Sequence, residues 1–119
     1  RPVLRKARPD RSQERNMAVK VIIERRVLPG QEKRVLELLR ALRSQCLDQP
    51  GYISGETLRD SEDQHTLVVI SSWFGLGDWR RWHASDERRA LESQIRVSLS
   101  GPERVHVLLE GLSEVHSGA

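Results

Sequence analysis

Tyr52-Ile53-Ser54-Gly55-Glu56-Thr57-Leu58-Arg59 and Gln64-His65-Thr66-Leu67-Val68-Val69-Ile70-Ser71-Ser72-Trp73 are two runs rich in β-branched and aromatic residues, parted only by Asp60-Ser61-Glu62-Asp63. Such runs suit a pleated, half-buried surface. The polar link is too short for the crossover that parallel strands need, so it predicts an antiparallel hairpin of Tyr52–Arg59 with Gln64–Trp73. This hairpin decides the fold because the chain on each side of it carries one helical pattern and one strand.

Upstream, Pro50-Gly51 ends a helix predicted from Gln31 to Leu47. Val35, Leu38, Leu39, Leu42 and Cys46 recur at helical spacing there, with Lys33, Arg34, Glu37 and Arg40 opposite. Before Pro29-Gly30, Met17–Leu28 alternates as a strand, with Val19, Val21, Ile23, Arg25 and Val27 on one face. Downstream, Gly75–Gly77 loosens the chain; Asp78 is expected to cap a short helical piece holding Trp79 and Trp82. Ser85 or Asp86 should cap a longer piece to about Ser98, with Ala90, Leu91 and Ile95 inward. Gly101-Pro102 stops it, and Val105–Glu110 is the last strand.

The order is β-α-β-β-α-β, an α+β ferredoxin-like sandwich in which helices cover one face of a four-stranded antiparallel sheet. The opposite face carries enough Val, Ile and Leu that leaving it wet would expose an apolar patch. Two copies pairing through those faces would form a homodimer with a barrel-like interior.

The 119 residues are 37% apolar and 31% charged, the balance of one small domain, expected over residues 17–112. No apolar stretch approaches the roughly 20 residues of a membrane span, and nothing resembles a signal peptide. One cysteine, Cys46, excludes an intrachain disulfide and fits a reducing, cytoplasmic setting. His65, His83, His106 and His116 have no metal-binding spacing. The net charge of +3 is unevenly placed. Residues 1–16 hold six basic groups against Asp10 and Glu14, which leaves fourteen basic against fifteen acidic for the rest. The basic arm 1–16 reads as upstream sequence or a solvated segment, since Met17 stands directly before the first strand. Without a companion basic stripe, nucleic acid is not the expected partner. Residues 113–119 should fray.

Arg25 is the most informative residue, because alternation sets a guanidinium among Val19, Val21 and Ile23. A charge there needs a partner or a pocket. One reading is an ion pair with Glu56 or an acidic residue of a second subunit; the other is an anchor for a phenolate or carboxylate. Trp73, Trp79 and Trp82 fall within ten residues and either fill the core or wall a flat cleft suited to a planar substrate. His83 could exchange protons in such a cleft or simply face solvent. Tyr52, at a strand end, is a further substrate-binding candidate. Ser71 and Ser72 lack a nucleophile-elbow context, so hydrolase chemistry has no support.

Taken together, these pieces resemble the antibiotic biosynthesis monooxygenase (ABM) family over roughly Ala18 to Gly111. The likeness rests on the element order, on Pro29-Gly30-Gln31-Glu32 and Gln49-Pro50-Gly51-Tyr52, and on Val69-Ile70-Ser71-Ser72-Trp73 followed by Trp82 and Ser85-Asp86. It implies a dimeric α/β barrel. It also implies a monooxygenase that oxidises a small aromatic or quinol-like substrate with no metal, flavin or other cofactor. On that resemblance Arg25 would stabilise a substrate anion, His83 would carry a proton and Trp82 would act beside them, with Trp73, Trp79 and Tyr52 holding the substrate. A non-catalytic ligand-binding or structural homodimer of the same fold is the alternative. One branch of the family binds and degrades haem through an asparagine on strand one, a tryptophan, and a histidine ten residues later. Trp82 matches that tryptophan, but Arg25 stands at the asparagine position and Glu92 at the histidine position. A carboxylate is a poor substitute for the imidazole that holds haem iron.

Overall fold

The computed structural model describes residues 17–111; the expectations for the arm 1–16 and the tail 113–119 lie outside the described residues. Alternating Val and Ile build β1 (Val19–Arg26), and the hairpin strands are β2 (Tyr52–Arg59) and β3 (Thr66–Trp73). The last strand is β4 (Arg104–Leu109). All pair antiparallel in the order β2-β3-β1-β4, the ferredoxin-like arrangement. In the hairpin turn Asp60 Oδ1 accepts from the backbone N–H groups of Glu62 and Asp63, and Asp63 accepts from His65 N–H and Thr66 Oγ1.

Register puts Val19, Val21, Ile23 and Arg25 of β1 opposite Trp73, Ser71, Val69 and Leu67 of β3, all toward the helices. The apolar stripe of α1 (Glu32–Leu47) buries Val35, Leu38, Leu39 and Leu42 against them. The second helical segment is two helices, α2 (Leu76–His83) and α3 (Asp86–Arg96). Ser85 ends one and begins the other. Its Oγ donates to the Trp82 carbonyl and accepts from the Arg88 N–H, satisfying a group at each terminus.

Two local expectations are corrected. Asp78 does not cap α2; Gly75 holds that position, and Asp78 sits in the first turn, where a carboxylate favours the helix dipole and pairs with Arg81 at 3.2 Å. Nor does Ala90 point inward. It is exposed; α3 buries Arg88, Glu92 and Ile95, a stripe at i, i+4, i+7, with Leu91 half-buried against the core beside it.

The opposite sheet face has a central strip of half-buried Ile22, Val68 and Ile70. Exposed Leu58 and Leu108 flank it, among Lys20, Arg26, Glu56, Arg104 and His106. Its rim is therefore more polar than alternation suggested.

Candidate functional site

Between the sheet, α1 and the α2–α3 pair lies an inner cavity of about 60 Å³. A water needs roughly 10–15 Å³ of such space, so the cavity holds a few waters or a diatomic gas as it stands. Trp73, Trp79 and Trp82 wall one side; all three are buried. Their packing is edge-on, with ring centroids 5.9 Å apart for Trp73–Trp79 and 5.3 Å for Tyr52–Trp73. Trp73 Nε1 donates to Ser71 Oγ at 3.1 Å, which settles its polar edge inside the core. The β-bulge between Tyr52 and Ser54 turns Tyr52 onto the helix side, where its hydroxyl lies over Gly55. A Cβ on Gly55 would stand 2.6 Å from that hydroxyl, so the missing side chain is what lets Tyr52 lie flat. Burial raises the Tyr52 phenol, while the neighbouring Arg43 pulls it back. Burial pushes the Cys46 thiol, also on the wall, up to about 12.

At the other end of the cavity four charges form a closed ring. Arg25 Nη2 lies 2.5 Å from Glu92 Oε2 and 3.2 Å from Glu103 Oε2; Arg88 Nη2 lies 3.1 Å from Glu92 and 3.3 Å from Glu103. Every positive corner thus touches both negative ones. Arg25 is 2% exposed, and its Nε has no partner among the described residues. Arg88 also lies over the Trp79 ring, 5.6 Å from the centroid. Burial raises Glu92 above its ordinary value despite both guanidiniums, and contact with Glu103 adds to the rise. Burial works in the same direction on Glu103, but the hydrogen bond from Glu92 and the two arginines overcome it and hold that carboxyl low. A proton arriving at the ring therefore settles on Glu92.

A model of the antibiotic biosynthesis monooxygenase family matches residues 18–93, more than half of the chain. The chain belongs to this family. No curated protein matches it. Among solved structures of the same fold is SnoaB, a cofactor-independent oxygenase from Streptomyces nogalater, in a variant form. It is 14% identical with a TM-score of 0.71, over 84% of this chain and 98% of that one. A Mycobacterium tuberculosis protein is 20% identical with a TM-score of 0.72, over 82% and 98%. A conserved protein from Methanosarcina mazei is 17% identical with a TM-score of 0.73, over 81% and 95%. At these identities the structures establish a shared fold.

Within this ABM domain Arg25, Trp73, Trp79, Trp82 and Tyr52 are brought together on one cavity. His83 is not. It is exposed on the far side of Trp79, its ring 5.1 Å from that indole, and it lines a separate outer groove of about 450 Å³. Burial against Trp79 and the charge of Arg88 keep its imidazole below the usual value. Glu56 is not the partner of Arg25 either. It projects from the open sheet face opposite Ile70, and Glu92 and Glu103 of the same chain take the pairing. The residues missed from sequence are thus Glu92, Glu103 and Arg88. Arg88 and Glu92 are opposite charges at i, i+4 on the helix stripe that ends in Ile95, a signal that was there to be read.

The ring also bears on haem. The two positions that differ from the haem-degrading branch, Arg25 and Glu92, are paired with each other, and the Glu92 carboxylate is held by two guanidiniums. Such a group is not free to ligate iron, and these residues do not fit haem. Among the described residues no cluster of three or more His, Cys, Asp or Glu could hold a metal ion, and no helix is long and apolar enough to cross a membrane.

Proposed function

We propose that this ABM-family chain is a cofactor-independent monooxygenase of a small aromatic or quinol-like substrate, working in the cytoplasm as a homodimer joined through its open sheet faces. The observation that carries the reading is the buried guanidinium of Arg25, with an unpartnered Nε, at the end of an indole-walled cavity. A substrate with an ionisable hydroxyl lies against the indoles with its oxygen toward Arg25. Its anion accepts a hydrogen bond from the free Arg25 Nε–H in a low-dielectric setting, where a fixed donor on a guanidinium counts for far more than in water. The electron-rich anion reduces dioxygen itself. One oxygen atom enters the product, the other leaves as water, and the substrate supplies the electrons. Exclusion of water by Trp73, Trp79 and Trp82 protects the intermediates. A ring of quinol size needs more room than the resting cavity, and Arg43 and Thr57, which border it, are exposed side chains able to turn away.

Oxygen uptake with a panel of quinols and dihydroxyaromatics tests this reading. Turnover above background that Arg25→Met abolishes is expected; uptake at background across the panel overturns it. The tight mutual packing of Trp73, Trp79 and Tyr52 favours a second reading, a dimer that binds a ligand or only assembles. Quenching of tryptophan fluorescence by the same phenols without oxygen uptake supports it.

A further inference from the structure

The charge ring is a wall with two sides. Arg88 and Glu92 line the inner cavity and also the outer groove, whereas Glu103 and His83 line the groove and not the cavity. Glu92 is thus a titratable side chain that reaches both spaces, and Glu103 is the next carboxyl outward, part-exposed where Glu92 is buried. We propose that Glu92 is the proton acceptor of the inner cavity and that Glu103 passes the proton to the outer groove. The identity of the donor, a substrate hydroxyl, rests on the monooxygenase reading above.

The step balances simply. The substrate O–H bond breaks, its electron pair stays on the substrate oxygen beside Arg25, and a new O–H bond forms on the Glu92 carboxylate. Glu92 keeps that proton while the anion reacts. Once the second oxygen atom has left as hydroxide and taken the buried negative charge with it, Glu92 gives the proton to Glu103, whose side chain releases it to the groove, where it completes the water. Charge favours this route. With both carboxyls ionised the ring is neutral, so an anion formed beside it with its proton lost to bulk water would leave a net negative charge buried. When Glu92 takes the proton, the ring gains one positive charge as the substrate gains one negative charge, and the sum within the wall is unchanged. The groups facing Glu92 fit this role. Burial and Glu103, before β4, favour its protonated state, while Arg25 of β1 and Arg88 of α3 pull toward the ionised state that accepts. His83 of α2, with Arg89 and Arg96 of α3, borders the groove where the proton leaves. Tyr52, Cys46 and Arg43 stand on the wall formed by β2 and α1. Burial raises the phenol and thiol, so neither competes as a base near neutral pH.

The test begins on the ligand-free protein. Chain labelled at the glutamate side-chain carboxyl carbon with carbon-13 is titrated by NMR. One resonance is expected to titrate above the ordinary glutamate range, to vanish in Glu92→Asp, and to move to lower pH in Glu103→Gln. Absence of that resonance in the unmodified chain, its survival in Glu92→Asp, or indifference to Glu103→Gln overturns the proposal. The wild-type spectrum stands even if a variant fails to fold. With a quinol that turns over, Glu92→Gln should lower kcat about 10²–10⁴-fold, the usual worth of a positioned base, with KM within a few-fold. The wild-type kcat should rise with pH through the Glu92 value, a limb absent from the variant. An undiminished kcat in Glu92→Gln also overturns the proposal. If instead no quinol drives oxygen uptake by the unmodified chain, the monooxygenase reading falls, and the titration alone decides where the proton rests.

Discussion

Arg25 concentrates the energetics of the molecule. Alternation along β1 assigned it to the buried face, and it is there, but its partners come from residues far along the chain that no local pattern links to it. Arg25→Met removes both contacts at once and leaves Glu92 and Glu103 to share Arg88 alone, with one buried negative charge in excess. Breaking a buried pair in this way costs about 3–5 kcal/mol, which urea denaturation at neutral pH should register. Glu92 itself has a pH signature. Its folded value is raised, so the native state holds the proton more tightly than the unfolded chain does. That contribution is complete below the unfolded glutamate value and is lost as pH rises through the folded one. Glu92→Gln, which mimics the protonated acid, should therefore gain stability relative to the parent as pH climbs through that window; a difference independent of pH would contradict the assignment. Cys46 behaves as the small core hydrophobe its place on the α1 stripe suggested. With its thiol near 12, iodoacetamide at pH 8 should alkylate it slowly in the native chain and quickly in guanidinium chloride.

At the scale of elements the chain was largely legible, because each signal was local. Val and Ile alternation gave β1, the Asp60–Asp63 turn gave the hairpin, and paired Pro-Gly steps bounded α1. The α2–α3 break was legible for the same reason: Ser85 is a good cap just before Asp86 and Glu87. Ser85→Ala should cost about 1 kcal/mol, measurable as a lowered denaturation midpoint with an unchanged slope, since it loses the bond to Arg88 N–H. The face of α3 was legible in part: Ile95 is buried and Leu91 packs against the core, as their apolar character suggested. Ala90 misleads: it faces solvent, and the helix turns Arg88 and Glu92 inward beside Ile95, because two arginines and two glutamates satisfying one another make their burial tolerable. The cavity was half legible on the same grounds. The indoles announced themselves by type and spacing, but the charges that close the cavity become a set only once β1, α3 and the segment before β4 meet.

The largest scale turns on the face that the helices leave uncovered. Ile22 and Ile70 stand opposite each other on β1 and β3, with Glu56 and His106 beyond them on the edge strands; Val68 and Glu24 form the next row, flanked by Leu58 and Arg104. An apolar centre with a charged rim is the usual composition of an interface between folded partners. Four strands spaced about 4.8 Å apart, three of eight residues and β4 of six, present roughly 475 Å² a side. Two such faces therefore approach the roughly 1,000 Å² at which a specific interface becomes credible. Partner choice follows from symmetry, since the rows carry both signs of charge and a two-fold axis can bring Glu24 and Glu56 of one copy toward Arg104 and Lys20 of the other. Ile70→Lys places an ammonium at the centre of that apolar strip while leaving the helix-facing core untouched. Sedimentation velocity at micromolar concentration should show a dimer for the parent chain and a folded monomer for the variant. A parent chain that sediments as a single copy would remove the barrel interior, yet it would leave the cavity intact, because every residue of the charge ring and every indole belongs to one chain. Catalysis surviving in the Ile70→Lys monomer is accordingly the expected result, at reduced stability rather than reduced chemistry.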